Sequence, residues 1–166
     1  MRVVLRLMDS FVADVRTDLG RSHPIAFERV GFVACRNAVL DDGVVLLPIE
    51  YLPVAEEDYL EAPEFGALIS SNAIRKALQV AYSRAVSMIH VHMHLGKGVP
   101  GPSRTDTREM GKLMPDFVKV RPGLPHAALV LSTNSARGFF WYQSSSPRTL
   151  SEIQVVGTPL TSVRFN

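Results

Sequence analysis

Three histidines alternate with apolar residues in His90-Val-His92-Met-His94, and Ser103-Arg-Thr-Asp106 follows a loop rich in glycine and proline. Alternate residues of a strand share a face, with Cα atoms ~6.6 Å apart, so two such imidazoles can converge on one ion at Zn–N distances of ~2.0–2.1 Å. The first and third stand ~13 Å apart along a strand. Two of the three are therefore ligands, and the remaining one does something else. Asp106, returned by the loop to the start of the next helix, supplies an anionic third ligand. Two His and one carboxylate leave a coordination position open, the arrangement of a catalytic zinc rather than a structural one. Such an ion lowers the pKa of water to ~7, and a nearby carboxylate can take the proton and deliver it to a leaving amine. Ser103 can donate its hydroxyl to an oxyanion, and it can also cap the helix; the two roles are compatible.

The elements that must position these residues follow from periodicity and turn chemistry. Residues Arg2 to Met8 read as a strand, followed by a helix capped by Ser10 that ends near Gly20. Arg29 to Arg36 and Val44 to Ile49 read as hairpin arms around Asp41-Asp42-Gly43, because Asp-Gly accepts positive φ. Leu52 to Phe65, acidic and holding two prolines, reads as a solvated loop. A helix capped by Ser71 or Asn72 runs to Ser87, with Ile74, Ala77, Leu78 and Ala81 at helical spacing. The histidine strand, Met88 to Leu95, comes next, then the Gly96 to Pro102 loop and a helix from Ser103 or Thr105 to about Met114. Strands at Ala127 to Ser132, Gly138 to Tyr142 and near Ile153 to Val156 complete the chain. The order implies an α/β domain, a mixed sheet between helices.

Composition narrows the function. The 166 residues suit one domain, 1–166. A net charge of +2, with no basic run, argues against nucleic acid as a partner. One cysteine, Cys35, excludes a multi-cysteine zinc site and a Pro-Cys-x-x-Cys deaminase. It fits a reducing compartment, so a cytoplasmic location is expected, with Cys35 a buried apolar residue. No apolar run approaches the ~20 residues of a membrane span, and no membrane partner is expected. Gly96-Lys-Gly98-Val-Pro-Gly101 matches a dinucleotide pattern, but Pro100 and Pro102 stand where its helix should run, so the match is coincidental. No HExxH, GxSxG or Walker loop is present.

The His92-Met-His94 and Ser103-Arg-Thr-Asp106 pair, with Glu28 upstream in Glu-Arg-Val-Gly31, resembles the signature of the JAMM (MPN+ or JAB) metalloproteases. Eleven residues separate His94 from Asp106, one more than is usual there, and Leu95 stands where many members have proline. The resemblance implies His92, His94 and Asp106 as ligands of one zinc per chain, Glu28 as general acid/base and Ser103 as oxyanion donor. His90 then falls outside the ligand set, as a packing or outer-sphere residue. A JAB/MPN domain similar to cytidine deaminase in fold is implied, spanning about residues 1–145. So is isopeptidase activity on the C-terminal tail of a ubiquitin-like protein or its conjugate, the tail's last glycines passing narrowly to the zinc. Small bacterial members, some in antiviral conjugation operons, are the most similar. The alternatives are a JAMM peptidase for a sulfur-carrier protein or small amide, and a metal-free MPN scaffold. The complete ligand set tells against the scaffold.

Overall fold

The computed structural model describes residues 1–61, 66–157 and 162–165. The chain runs β1 (Arg2–Met8), α1 (Asp9–Leu19), β2 (Val30–Leu40), β3 (Gly43–Pro53), β4 (Tyr59–Leu60), β5 (Leu68–Ile69), α2 (Ser71–Arg84), β6 (Ser87–Met93), α3 (Arg104–Val120), β7 (His126–Leu131), β8 (Ala136–Trp141), β9 (Arg148–Thr149), β10 (Glu152–Val156) and β11 (Ser162–Phe165). A nine-stranded sheet has the order β11-β10-β1-β3-β2-β6-β7-β8-β9, and β4 pairs with β5 in a separate ribbon. The sheet is mixed: β1 lies parallel to both β3 and β10, and β6 parallel to β7, while β2 is antiparallel to β3 and β6. The α/β class expected from the element order is the class observed.

Successive strand residues point to opposite faces, and each face has its own core. Val33, Cys35, Ile89, Val91 and Met93 pack with Val12, Val15 and Leu19 of α1. Phe32, Ala34, Met88 and Ala128 pack with Ala73, Ala77 and Ala81 of α2 and with Met110, Met114 and Phe117 of α3. His90 and His92 share the parity of Met88, so the sheet turns them toward α2 and α3 rather than α1. Cys35 is fully buried, and burial pushes its thiol up, as befits a small apolar residue. Among the described residues no helix is long and apolar enough to cross a membrane.

Several boundaries differ from expectation. Helix α1 starts at Asp9 directly after β1, with no side-chain cap, so Ser10 lies inside it. Ser70, not Ser71 or Asn72, caps α2: its Oγ accepts the Ala73 N–H at 3.2 Å. The hairpin arms reach Leu40 and Pro53, longer than expected. Gly43 starts the second arm because β1 approaches it so closely that a Cβ would stand 1.9 Å from the Arg2 carbonyl oxygen. The expected loop from Leu52 to Phe65 carries the end of β3, a 3-10 turn at Glu56–Asp58 and β4, and residues 62–65 lie outside the described residues. Strand β6 ends at Met93, leaving His94 just past it. Helix α3 passes Met114 and continues through Pro115 to Val120. Proline removes one helical hydrogen bond, but Met110, Met114 and Phe117 anchor the helix face on both sides of it.

Candidate metal centre

His92 sits on β6, opposite Val30 of β2 and Val130 of β7, with only 3% of its surface exposed. His94 follows the strand end, where its N–H donates to the Leu131 carbonyl at 2.9 Å and fixes the backbone beside β7. Asp106 is the third residue of α3. Its Oδ2 accepts the Ser103 N–H at 2.6 Å while Ser103 Oγ accepts the Asp106 N–H at 3.0 Å, a reciprocal capping box that anchors the carboxylate. The carboxylate faces both imidazoles: His92 Nε2 is 3.5 Å from Oδ1 and His94 Nε2 is 3.3 Å from Oδ2.

Glu28 joins them from the segment before β2. Its N–H donates to the Gly66 carbonyl at 3.1 Å. The buried Arg29 guanidinium grips Glu56 through both nitrogens at 2.7 and 3.2 Å and also donates to the Arg21 and Ser22 carbonyls. The glutamate's backbone is thereby held from two sides. Gly31, three residues on, leaves room for the Tyr51 ring, which would stand 2.5 Å from a Cβ there.

One ligand atom each from Glu28, His92, His94 and Asp106 lies within 4.8 Å of every other, so the group could hold a metal ion. Ligands of a tetrahedral zinc at ~2.0–2.1 Å stand about 3.3–3.4 Å apart. The His94 Nε2–Oδ2 separation matches that edge, and His92 Nε2 stands close to the other carboxylate oxygen. His92 Nε2 is moreover buried without a hydrogen-bond partner, a cost that a metal bond would relieve. Two imidazoles and carboxylate oxygens suit zinc chemically.

The electrostatics separate the two carboxyl groups. Burial pushes the Glu28 carboxyl up, Asp106 adds to that rise, and His92 and His94 oppose it. Burial would also raise Asp106, but the adjacent His92 and the bonds from Ser103 outweigh it and hold Asp106 below the usual carboxylate range. Glu28 is thus the easier of the two to protonate and Asp106 the more firmly ionised.

His90 lines a cavity that adjoins Glu28, His92 and Asp106, but it is outside the group of four. Its ring lies 6.0 Å from that of His92 and 5.5 Å from that of Phe32, and its Nδ1 is buried without a partner. Burial pushes its pKa down to about 3, so the ring is uncharged. Ser103 is exposed at the helix start, its oxygen accepting from the Asp106 N–H and its own proton without an acceptor among the described residues. The Gly96–Gly101 stretch is irregular and tied to the turn after β7: Thr133 N–H donates to the Gly96 carbonyl at 2.9 Å, and Ser132 Oγ donates to the Gly98 carbonyl at 2.7 Å.

Sequence reasoning missed what surrounds the group. A cavity of about 280 Å³ opens beside Glu28, His92 and Asp106, walled by Val30, β5, Ile74 and the Met110 and Leu113 face of α3. Met110 and Leu113, four and seven residues after Asp106, were the available signal, because that spacing keeps a helical face turned the same way. Arg29 and Glu56 carried no such signal, since their pairing is long-range. No protein-family model matches the chain, and no curated protein matches it.

Proposed function

We propose that the chain is a zinc-dependent isopeptidase or peptidase of the JAMM type, acting on the C-terminal tail of a ubiquitin-like protein or its conjugate. The observation that carries this reading is the convergence of Glu28, His92, His94 and Asp106 within 4.8 Å. His92, His94 and Asp106 would hold one zinc per chain, leaving a fourth position open. Bound there, zinc supplies Lewis-acid chemistry, polarising a carbonyl and bringing the pKa of water to about 7.

The chain's own residues do the rest. Glu28, its carboxyl raised by burial, takes the proton from the attacking water and returns it to the nitrogen of the departing amine. The water oxygen bonds the carbonyl carbon as the C–N bond breaks, giving a free carboxylate and a free amine. Ser103, whose oxygen is occupied by the Asp106 N–H, has its hydroxyl proton available for the oxyanion. The JAMM resemblance, with its JAB/MPN fold, supports the substrate class, the cytoplasmic setting and an antiviral conjugation context as parts of the same proposal.

Zinc per chain, by elemental analysis of protein purified without added metal or chelator, tests the centre: about one is expected. Glu28→Ala should keep the zinc and lose cleavage of a ubiquitin-like fusion by roughly 10²–10⁴-fold. Full activity in that variant removes Glu28 from the mechanism. Cleavage of short acyl-amino acids with no gain from a protein tail would favour the small-amide alternative. Absence of zinc after reconstitution would leave only a partner-binding scaffold.

A further inference from the structure

Glu28 stands two residues before β2, ahead of its first ladder pairs, Val30 with His92 and Gly31 with Pro53. No strand register therefore fixes it. Residues 28 to 30 are instead gripped one after another by a single later stretch of chain. The Gly66 carbonyl takes the Glu28 N–H, Glu56 takes the Arg29 guanidinium, and Tyr59 takes Val30. The Tyr59 hydroxyl accepts the Val30 N–H at 3.0 Å and donates to the Val30 carbonyl at 3.1 Å, where β3 has already ended. Tyr59 is itself buried, and its ring packs against that of His23 at 4.2 Å. His23 Nδ1 accepts the Ile25 and Ala26 N–H groups at 3.3 and 3.1 Å, which puts the ring proton on Nε2, 2.8 Å from Glu56 Oε2.

A phenol that needed only to satisfy its own burial would require one hydrogen-bond partner. Tyr59 directs both its donor and its acceptor at one residue, two positions from the proposed base. Resting on the zinc peptidase reading above, we infer that Tyr59 is a positioning residue: its hydroxyl fixes the Val30 backbone and thereby sets where the Glu28 carboxyl meets the attacking water. Backbone released at Val30 would let the carboxyl wander, and a displacement of about 1 Å at a reacting group can cost about 100-fold in rate.

Tyr59→Phe removes the hydroxyl and keeps the ring on His23. In the full chain as purified, hydrogen exchange followed by NMR should show the Val30 amide exchanging at least about 10-fold faster, with that of Leu129 in β7 unchanged. With ubiquitin fused through its C-terminal glycine to a reporter peptide, kcat should fall roughly 10- to 100-fold while KM stays within about twofold. Zinc should stay at about one per chain. In the Glu28→Ala background the same substitution should change the residual rate by less than about twofold, because the group it positions is gone. A merely structural role would lower the rate in both backgrounds. Unchanged kcat, an equal loss in both backgrounds, or an unchanged Val30 amide overturns the inference. If Tyr59→Phe does not fold, Glu56→Gln decides: it must lower kcat at unchanged KM, and unchanged kcat there overturns the inference as well. A wild type without zinc, or one that leaves the fusion whole, removes the peptidase reading and this inference together. A wild type that cleaves no faster than Tyr59→Phe removes this inference alone.

Discussion

His92 and His126 are both buried on neighbouring parallel strands, about 13 Å apart along the ladder, yet their surroundings are opposite. His126 Nδ1 accepts the Met88 N–H at 3.0 Å, which puts the ring proton on Nε2, facing the Arg121 carbonyl at 3.3 Å. The ring also stacks on Phe117. His92 is equally hidden, but its Nε2 has no hydrogen-bond partner and faces a carboxylate and two other candidate ligands. Asp58 and Asp106 repeat the contrast among acids near helix starts. Asp58 accepts from Ser70, Asn72 and Lys76 and is satisfied within the fold. Asp106 receives its Ser103 bond through Oδ2 and turns Oδ1 toward His92. Burial by itself does not mark a site, and neither does an unpartnered nitrogen, which His90 also has; His92 is set apart by an unpartnered nitrogen that faces a carboxylate and two other candidate ligands.

Replacing each histidine in turn would break or sharpen that contrast. His92→Ala should weaken zinc affinity by well over about 100-fold, since losses of outer partners alone cost 10–100-fold. Chelator competition measures it, and unchanged affinity would place the metal elsewhere. His126→Leu should leave zinc uptake intact but cost roughly 1–3 kcal/mol in urea unfolding, because the Met88 N–H and Arg121 carbonyl lose their partner.

His126 also predicts a pH dependence. Burial pushes its pKa down to about 4, from 6.5 in the unfolded chain, so the unfolded state takes up the proton first. The stability it contributes is complete above pH 6.5, falls as pH drops toward 4, and amounts to about 3 kcal/mol. Unfolding curves between pH 4 and 7 should be steeper in the wild type than in His126→Leu, which keeps only the slope that the likewise depressed His90 contributes. Asp58 acts lower on the scale. The Lys76 hydrogen bond, with those from Asn72 and Ser70, holds its carboxyl down to about 2, so its contribution is present above pH 3.8 and lost as pH falls toward 2. Asp58→Asn should flatten that limb of the stability profile. The smallest effect belongs to His90→Phe. Removing an unpartnered buried nitrogen between Phe32 and His92 should leave zinc content unchanged and move stability by no more than about 1 kcal/mol. Loss of zinc in that variant would make His90 a ligand.

Much of the centre was legible in the chain because strand and helix periodicities are local. His92, His94 and Asp106 needed only a strand, a loop and a helix start, all signalled within seventeen residues from His90 to Asp106. Glu28 was reached through the family resemblance, and the fold brings it beside the others by pairing β2 with β6. Boundaries failed where tertiary contacts overrode local signals. Pro115 reads as a helix stop, yet Phe117 beyond it is fully buried and carries α3 onward. Strand β4 hid in an acidic stretch and its partner β5 just beyond it, because two-residue strands have no readable period. The cavity was invisible for a similar reason: its walls come from β2, β5, α2, β6 and α3, and only the fold assembles them.

The placement of β1 between β3 and β10 bears on how the protein comes into being. Val3 N–H bonds Ser151 Oγ across a separation of 148 residues, and Arg2 reaches Glu152. Such distant pairing carries a large loop-closure cost and slows folding. At ~5–20 residues per second, synthesis needs about 7–30 s to supply β10 after β1 has been made. During that interval the edge of β1 that β10 will cover has no strand to receive it, which leaves β1 open to strand-to-strand association with other chains.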